Sequence, residues 1–164
     1  MPVDMSSPSG FNAYWENTLK RFRAEAIDGH LDGGNLDPIN DHVTGAVDQD
    51  TLASQYAFPV VWSVPSGHQP TYETVATDHG TMPVTVVVLA ADTDPDMAFQ
   101  KARTLGGRII DNVEGSALLD DSGTAHASRV DLDEFIVDNR PVSGKGAQVK
   151  FAEIDFNIET ERKY

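Results

Sequence analysis

Phe11, Trp15, Leu19, Phe22 and Ala26 recur at spacings of four and three, which lays a continuous apolar stripe along one face of an N-terminal helix ended by Asp28-Gly29. The period then changes. Residues 57–64, AFPVVWSV, read as a strand with Pro59 near its start, and Pro65-Ser66-Gly67 as the turn that follows. Residues 71–77, TYETVAT, alternate as a second strand, and Asp78-His79-Gly80 predicts a turn into residues 82–91, MPVTVVVLAA. That run is apolar on both faces, so it is expected to be a central strand covered by helices. Asp94-Pro95 opens a second helix, with Asp94 placed to cap it and Pro95 at the first position, where a missing N–H costs nothing. Ala98, Ala102, Leu105, Ile109 and Val113 supply its apolar face. Gly106-Gly107 in its middle costs about 1 kcal/mol per glycine relative to alanine, which points to a kink or to close packing on a strand.

Residues 128–138, SRVDLDEFIVD, alternate through Val130 and Leu132 and then shift phase, so that Phe135 and Val137 take the apolar role. A bulge near Asp133-Glu134 produces such a shift. Residues 148–160 form the last strand, with Ala152, Ile154, Phe156 and Ile158 on one side and Glu153, Asp155, Asn157 and Glu159 on the other. The resulting order, without an internal repeat, predicts an α+β domain: a mainly antiparallel sheet of about five strands with two helices packed on one side. The domain runs over 11–164 behind a short leader, 1–10, expected to be disordered. Residues 28–50, rich in Gly, Asp and Asn, are read as a long loop too irregular for an element, and loops of that length are usually functional or disordered.

At 164 residues the chain can bury roughly two-thirds of its unfolded surface and needs no metal or disulfide to fold. It has no cysteine, which removes thiol catalysis, zinc ribbons and disulfide scaffolds. Its longest apolar run, VTVVVLAA, is far short of the ~20 residues that span a bilayer, and MPVDMSSPSG lacks the form of a signal peptide. Charge changes the picture most. Twenty-six acidic residues against twelve basic ones give a formal charge of −14, while 40% of the chain is hydrophobic, enough to fold. A phosphate backbone is bound through cations that release counterions, so nucleic-acid recognition is not expected. The excess of acids, with Asp favoured over Glu, resembles proteins of salt-loving archaea. At about 1 M salt the Debye length is only ~3 Å, and the self-repulsion of such a chain is largely screened.

The row Glu153, Asp155, Glu159 could join Asp131 and Asp133 in a carboxylate cluster, but acids along a strand diverge, and a cage for Mg²⁺ or Ca²⁺ needs them convergent. Asp28, His30 and Asp32 lead into Gly33 as in part of a calcium loop, without the closing Glu. His30, His42, His68, His79 and His126 all fall in predicted loops or turns and form no close ligand pair. Ser116, Ser122 and Ser128 sit in no nucleophile elbow. Ser143-Gly144-Lys145-Gly146 lacks the phosphate-loop spacing and precedes a strand, and Gly106-Gly107 has no dinucleotide fingerprint around it. No catalytic, cofactor-binding or metal-binding residue is therefore assigned, and the acids are read as a hydrated surface.

In its order of elements the chain resembles the tail terminator (tail-completion, head–tail joining) proteins of long-tailed viruses, over roughly Phe11 to Thr160. The resemblance rests on FNAYWENTLKRF, the proline-bearing AFPVVWSV, VTVVVLAA leading into DPDMAFQKARTLGGRIIDNV, and the closing pair RVDLDEFIVD and QVKFAEIDFNIE. It implies a structural, non-enzymatic protein without cofactor or metal: a homohexameric ring that caps the tail tube and joins it to the connector at the head. The implied partners are further copies of the chain, the viral tail tube protein and the head–tail connector, with genomic DNA passing without specific binding and no membrane contact. The implied place is the neck of a virion, here of a haloarchaeal virus, after synthesis in the host cytoplasm. A closed ring needs two different complementary patches per subunit, and residues 28–50, 65–71 and 139–147 are the expected contact regions. The rival readings are a small haloarchaeal cytosolic enzyme or ligand-binding domain with a pocket between helix and sheet, and another neck or tail component such as a connector or tube subunit.

Overall fold

The computed structural model describes residues 11–44, 55–65, 69–72, 77–114, 127–139 and 148–163. The leader, the end of the long loop (45–50), Ser66-Gly67, His68, Ser116, Ser122, His126 and the 140–147 loop with Ser143-Gly144-Lys145-Gly146 lie outside them.

Helix α1 (Phe11–Ala26) turns its stripe inward: Leu19, Phe22 and Ala26 are buried, with Trp15 packed against the same cluster. Helix α2 (Pro95–Glu114) starts where its cap predicts, the Asp96 N–H donating to the Asp94 carboxylate at 3.0 Å, and all five of its predicted apolar positions are buried. Its two central glycines differ. A Cβ on Gly106 would lie 2.9 Å from the Phe135 ring and 3.1 Å from the Ala152 Cβ, whereas one on Gly107 would meet nothing within 4 Å. Gly106 is thus a point of close helix-to-sheet approach.

The strands are β1 (Asp41–Thr44), β2 (Val60–Pro65), β3 (Gln69–Tyr72), β4 (Thr77–Asp92), β5 (Ala127–Asn139) and β6 (Gln148–Lys163). They run in the order β1-β2-β4-β6-β5, with β3 beside β2 on the same edge of β4. Every pairing is antiparallel except the parallel β1-β2 pair. The protein is an α+β fold, a mainly antiparallel sheet with two helices on one side. Strand β4 is central, as its composition predicts, and pairs with β6 over its whole length. Pro83 falls in the interval of β4 between the β2 ladder, which ends at Val84, and the β3 ladder, which begins at Thr81. The bulge predicted in β5 is present: Leu132 faces Phe156 and Glu134 faces Asp155, with Asp133 as the extra residue.

On the helix side of the sheet, Met82, Val84, Val86 and Val88 of β4 and Ile154, Phe156 and Ile158 of β6 form the main core with both helices. Phe22 meets Phe156 edge to face at 5.4 Å between centroids.

Five expectations need correction. The strand expected over 71–77 is instead β3 at Gln69–Tyr72, and Thr77 opens β4, with 73–76 outside the described residues. The 28–50 segment is not irregular throughout, since it contains a 3-10 turn (Asp28–His30) and β1, and Leu36 and Ile39 are buried in the main core. Asp78-His79-Gly80 is no turn, because β4 runs through it paired to β3 on one side and β6 on the other. Among the described residues helices cover β4 on one face; on the other, Val87 and Leu89 join Val60, Val149 and Phe151 in a second cluster against which Tyr56, Phe58 and Trp62 pack. His42 and His79 lie on strands, not in loops.

Candidate functional site

The acidic row of β6 does not converge. The register sets Ile136 opposite Glu153, Glu134 opposite Asp155, Asp131 opposite Asn157 and Arg129 opposite Glu159, so only one pair of carboxylates faces each other directly. Arg129 bridges Asp131 and Glu159, each at 3.0 Å, and the hydrogen bond and charge of Asp131, backed by Glu159, raise the guanidinium further above its ordinary value. Asp155 accepts the Thr85 hydroxyl at 2.8 Å. A solvent-open depression of about 490 Å³ is lined by Pro83, Thr85, Asp133, Glu134 and Asp155. Among the described residues no group of three or more His, Asp or Glu side chains is arranged to hold a metal. Asp28, His30 and Asp32 are not brought together either: Asp28 bonds His42, His30 bonds the Glu25 carbonyl at 2.9 Å, and Asp32 is exposed.

One constellation does form, and it was not foreseen. The parallel pairing of β1 with β2 brings His42 beside Ser63 on the helix side of the sheet, and the 3-10 turn after α1 delivers Asp28 to the other edge of the ring. His42 Nδ1 is 2.6 Å from Asp28 Oδ1 and Nε2 is 2.7 Å from Ser63 Oγ. A carboxylate only accepts, so Nδ1–H donates to Asp28, and in the neutral imidazole Nε2 accepts the Ser63 hydroxyl. This is the order of groups in a serine nucleophile relay. Access is what it lacks. Ser63 is 1% exposed within a strand paired on both sides, and neither the depression nor the groove described below includes any of the three residues. The relay acts as a fastening that ties the end of α1, β1 and β2 together.

The rest of the 28–44 segment is fixed in the same way. Asn112 donates to the Ala26 carbonyl at 3.0 Å and pairs with the Asn35 side chain, and Arg108 donates to the Asn35 carbonyl at 2.9 Å. Gly33, at φ +72°, makes the turn that lets its N–H donate to Asp37. Asn40 donates through its backbone N–H to the Pro59 carbonyl, at 2.9 Å, and through its side chain to the Phe58 carbonyl, also at 2.9 Å, across the cis Phe58-Pro59 bond.

Against that bond lies the second candidate, a groove of about 420 Å³ between the start of α2 and the residues leading into β1 and β2. Phe58, Pro59 and Met97 line it, and Lys101 and Arg108 are its charged residues. Lys101 holds Asp92 at 2.7 Å, and that bond, helped by the Asp94 N–H, lowers the Asp92 carboxyl below its ordinary value.

Sequence spacing gave no access to the relay, since its members stand 14 and 21 residues apart and the four residues of β1 are hidden in a Gly- and Asp-rich stretch. The groove left a faint trace, because Met97, Lys101, Thr104 and Arg108 share one helix face; their mixed polarity concealed it.

No family model matches the chain, and no characterised protein matches it in sequence. Among the described residues, no helix is long and apolar enough to cross a membrane.

Proposed function

We propose that this protein is a structural subunit of a virus particle, a tail terminator whose copies close into a ring on the tail tube and join it to the head connector, in a virus of a salt-loving archaeon. One observation carries the reading: among the described residues, polar groups that could do chemistry are engaged within the fold or spread over a surface, while β5 has no further strand beside it. Asp131 and Glu159 are held by Arg129, Asp155 by Thr85, and Asp28, His42 and Ser63 by one another. Strand β5 ends the sheet with Leu132 44% and Ile136 38% exposed. An open edge with apolar side chains is a place where another chain adds. The order of elements, from the amphipathic α1 through the apolar β4 and capped α2 to the closing pair β5-β6, supports the same reading.

The relay favours an enzyme, as a serine hydrolase. Against that stands the burial of Ser63, 1% exposed in a strand paired on both sides. The discriminating measurement is the mass of the protein in molar KCl, alone and with purified tail tubes. A closed ring, or a monomer that becomes a ring at tube ends, is expected; a monomer or dimer that ignores tube ends overturns the proposal.

A further inference from the structure

We infer that the ring closes by extension of the sheet: residues 135–138 of β5 in one copy pair antiparallel with residues 41–44, strand β1, of the next. The inference rests on the ring reading and names the two edges that meet.

Strand sense is the first argument. β1 and β5 are the two ends of the strand path, and among the described residues no strand lies beyond either. An edge strand turns the N–H and C=O groups of alternate residues outward, where its own sheet supplies no partner. Along the path β1, β2 and β6 run one way, and β4 and β5 run the other. Copies related by rotation about an axis along the strands keep that direction and keep the helix layer on the same side. β5 of one copy then lies beside β1 of the next in the antiparallel sense, the more stable of the two. The contact joins two different edges, as a closed ring requires.

Level is the second argument, and it is independent of the first. The registers trace an unbroken row across the sheet from Val43 through Trp62, Val87 and Glu153 to Ile136, and the next row joins Asp41 to Asp138 in the same way. The four residues of β1 are therefore level with residues 135–138, the part of β5 just past the bulge at Asp133. A second copy set edge to edge, without sliding along the strands, places Ile136 beside Val43. Ile136 is 38% exposed on the face away from the helices, and Val43 packs on that face against the second apolar cluster. The seam thus covers Ile136 and continues that cluster from one copy towards the next. The bonds of His42 to Asp28 and Ser63 hold β1 in place for this pairing. Asp41 and Asp138 also meet, and their repulsion, costly in dilute buffer, is largely screened in molar salt.

The chain has no cysteine, so introduced thiols are its only ones. Asp41→Cys and Asp138→Cys replace two exposed residues. Within one copy they stand four strand spacings apart, about 19 Å, which no disulfide spans. The double variant, full chain in molar KCl, with tail tubes wherever the wild type needs them to form rings, is oxidised with diamide and run on non-reducing denaturing gels, with circular dichroism to establish folding. A ladder of covalent oligomers is expected, and its loss when Leu132→Cys, several rows away, replaces Asp138→Cys. Mixed single variants are expected to stop at a covalent dimer, and each alone to stay uncrosslinked. Rings that sediment normally while the double variant gives no ladder, or a ladder as strong from the Leu132→Cys control, overturn the inference and leave the ring reading standing. A wild-type chain that forms no ring, alone or on tubes, overturns the reading beneath it. If the double variant does not fold, Val43→Cys with Ile136→Cys takes its place, with the same expected ladder.

Discussion

Replacing each of the two adjacent glycines of α2 by alanine separates helix propensity from packing within a single turn. Alanine is favoured over glycine in a helix interior by about 0.8–1.0 kcal/mol. At Gly107, where a new Cβ meets nothing within 4 Å, that gain is expected in full, and for a domain of this size it raises Tm by about 2–4 °C. At Gly106 the same methyl would sit 2.9 and 3.2 Å from two atoms of the Phe135 ring and 3.1 Å from Ala152 Cβ. Overpacking typically costs about 1–3 kcal/mol. The edge strand that carries Phe135 can yield somewhat, while Ala152 in β6, paired on both sides, cannot. Gly106→Ala is therefore expected to be neutral to about 2 kcal/mol destabilising, leaving the two variants about 1–3 kcal/mol apart. Urea unfolding in molar KCl measures this, with equal m-values required for a clean comparison. Adding Phe135→Leu is expected to remove most of the Gly106→Ala penalty, because two of the three close contacts are with that ring. Equal stabilisation by both alanines, or a penalty indifferent to Phe135, would refute the close-approach account.

The Asp28–His42–Ser63 fastening gives a second prediction: His42→Ala and Ser63→Ala each strand a buried partner and are expected to cost about 1–3 kcal/mol, with a double variant well short of their sum. A fluorophosphonate probe is expected to leave Ser63 unlabelled, and stoichiometric labelling by mass spectrometry would restore the enzyme reading. Asp92 is expected to titrate below an ordinary carboxylate in carbon-13 NMR, chiefly because of Lys101, and Lys101→Met to move it back up. With the folded pKa depressed, the stabilisation from Asp92 is present above the unfolded value of about 3.9 and fades as pH falls through the folded one. Finally, if the −14 charge is an adaptation to brine, Tm should climb between about 0.1 and 3 M KCl, and a flat or falling profile would count against a halophilic source.

The parts of the fold legible in the sequence are those where one local pattern and the tertiary structure agree. The stripe from Leu19 to Ala26, the Asp94 cap, the two-sided β4 and the phase shift at Asp133 each have a period or a cap that decides the outcome. Legibility ends where distant residues decide. Asp78-His79-Gly80 has the composition of a turn, yet two ladders hold it extended. Four residues of β1 are too few to show a period, and their strand state comes from β2. The relay depends on that pairing and so was invisible with it. The second apolar cluster was legible only in part: Val87 and Leu89 announced a buried face, but not that Phe58 and Trp62 would pack against it.

The face of the sheet opposite the helices is divided along the strand direction. Near the C-terminal end of β4, Leu89 and Phe151 are covered by Trp62 and Phe58, and towards its other end Thr85, Asp155, Glu134, Arg129 and Glu159 stay wet. A flat neighbour laid across it meets a greasy sill at one end and hydrated carboxylates at the other. Turning that neighbour end for end would strip water from the acids and leave the sill uncovered. The surface therefore carries its own arrow, and whatever stacks on it can tell up from down.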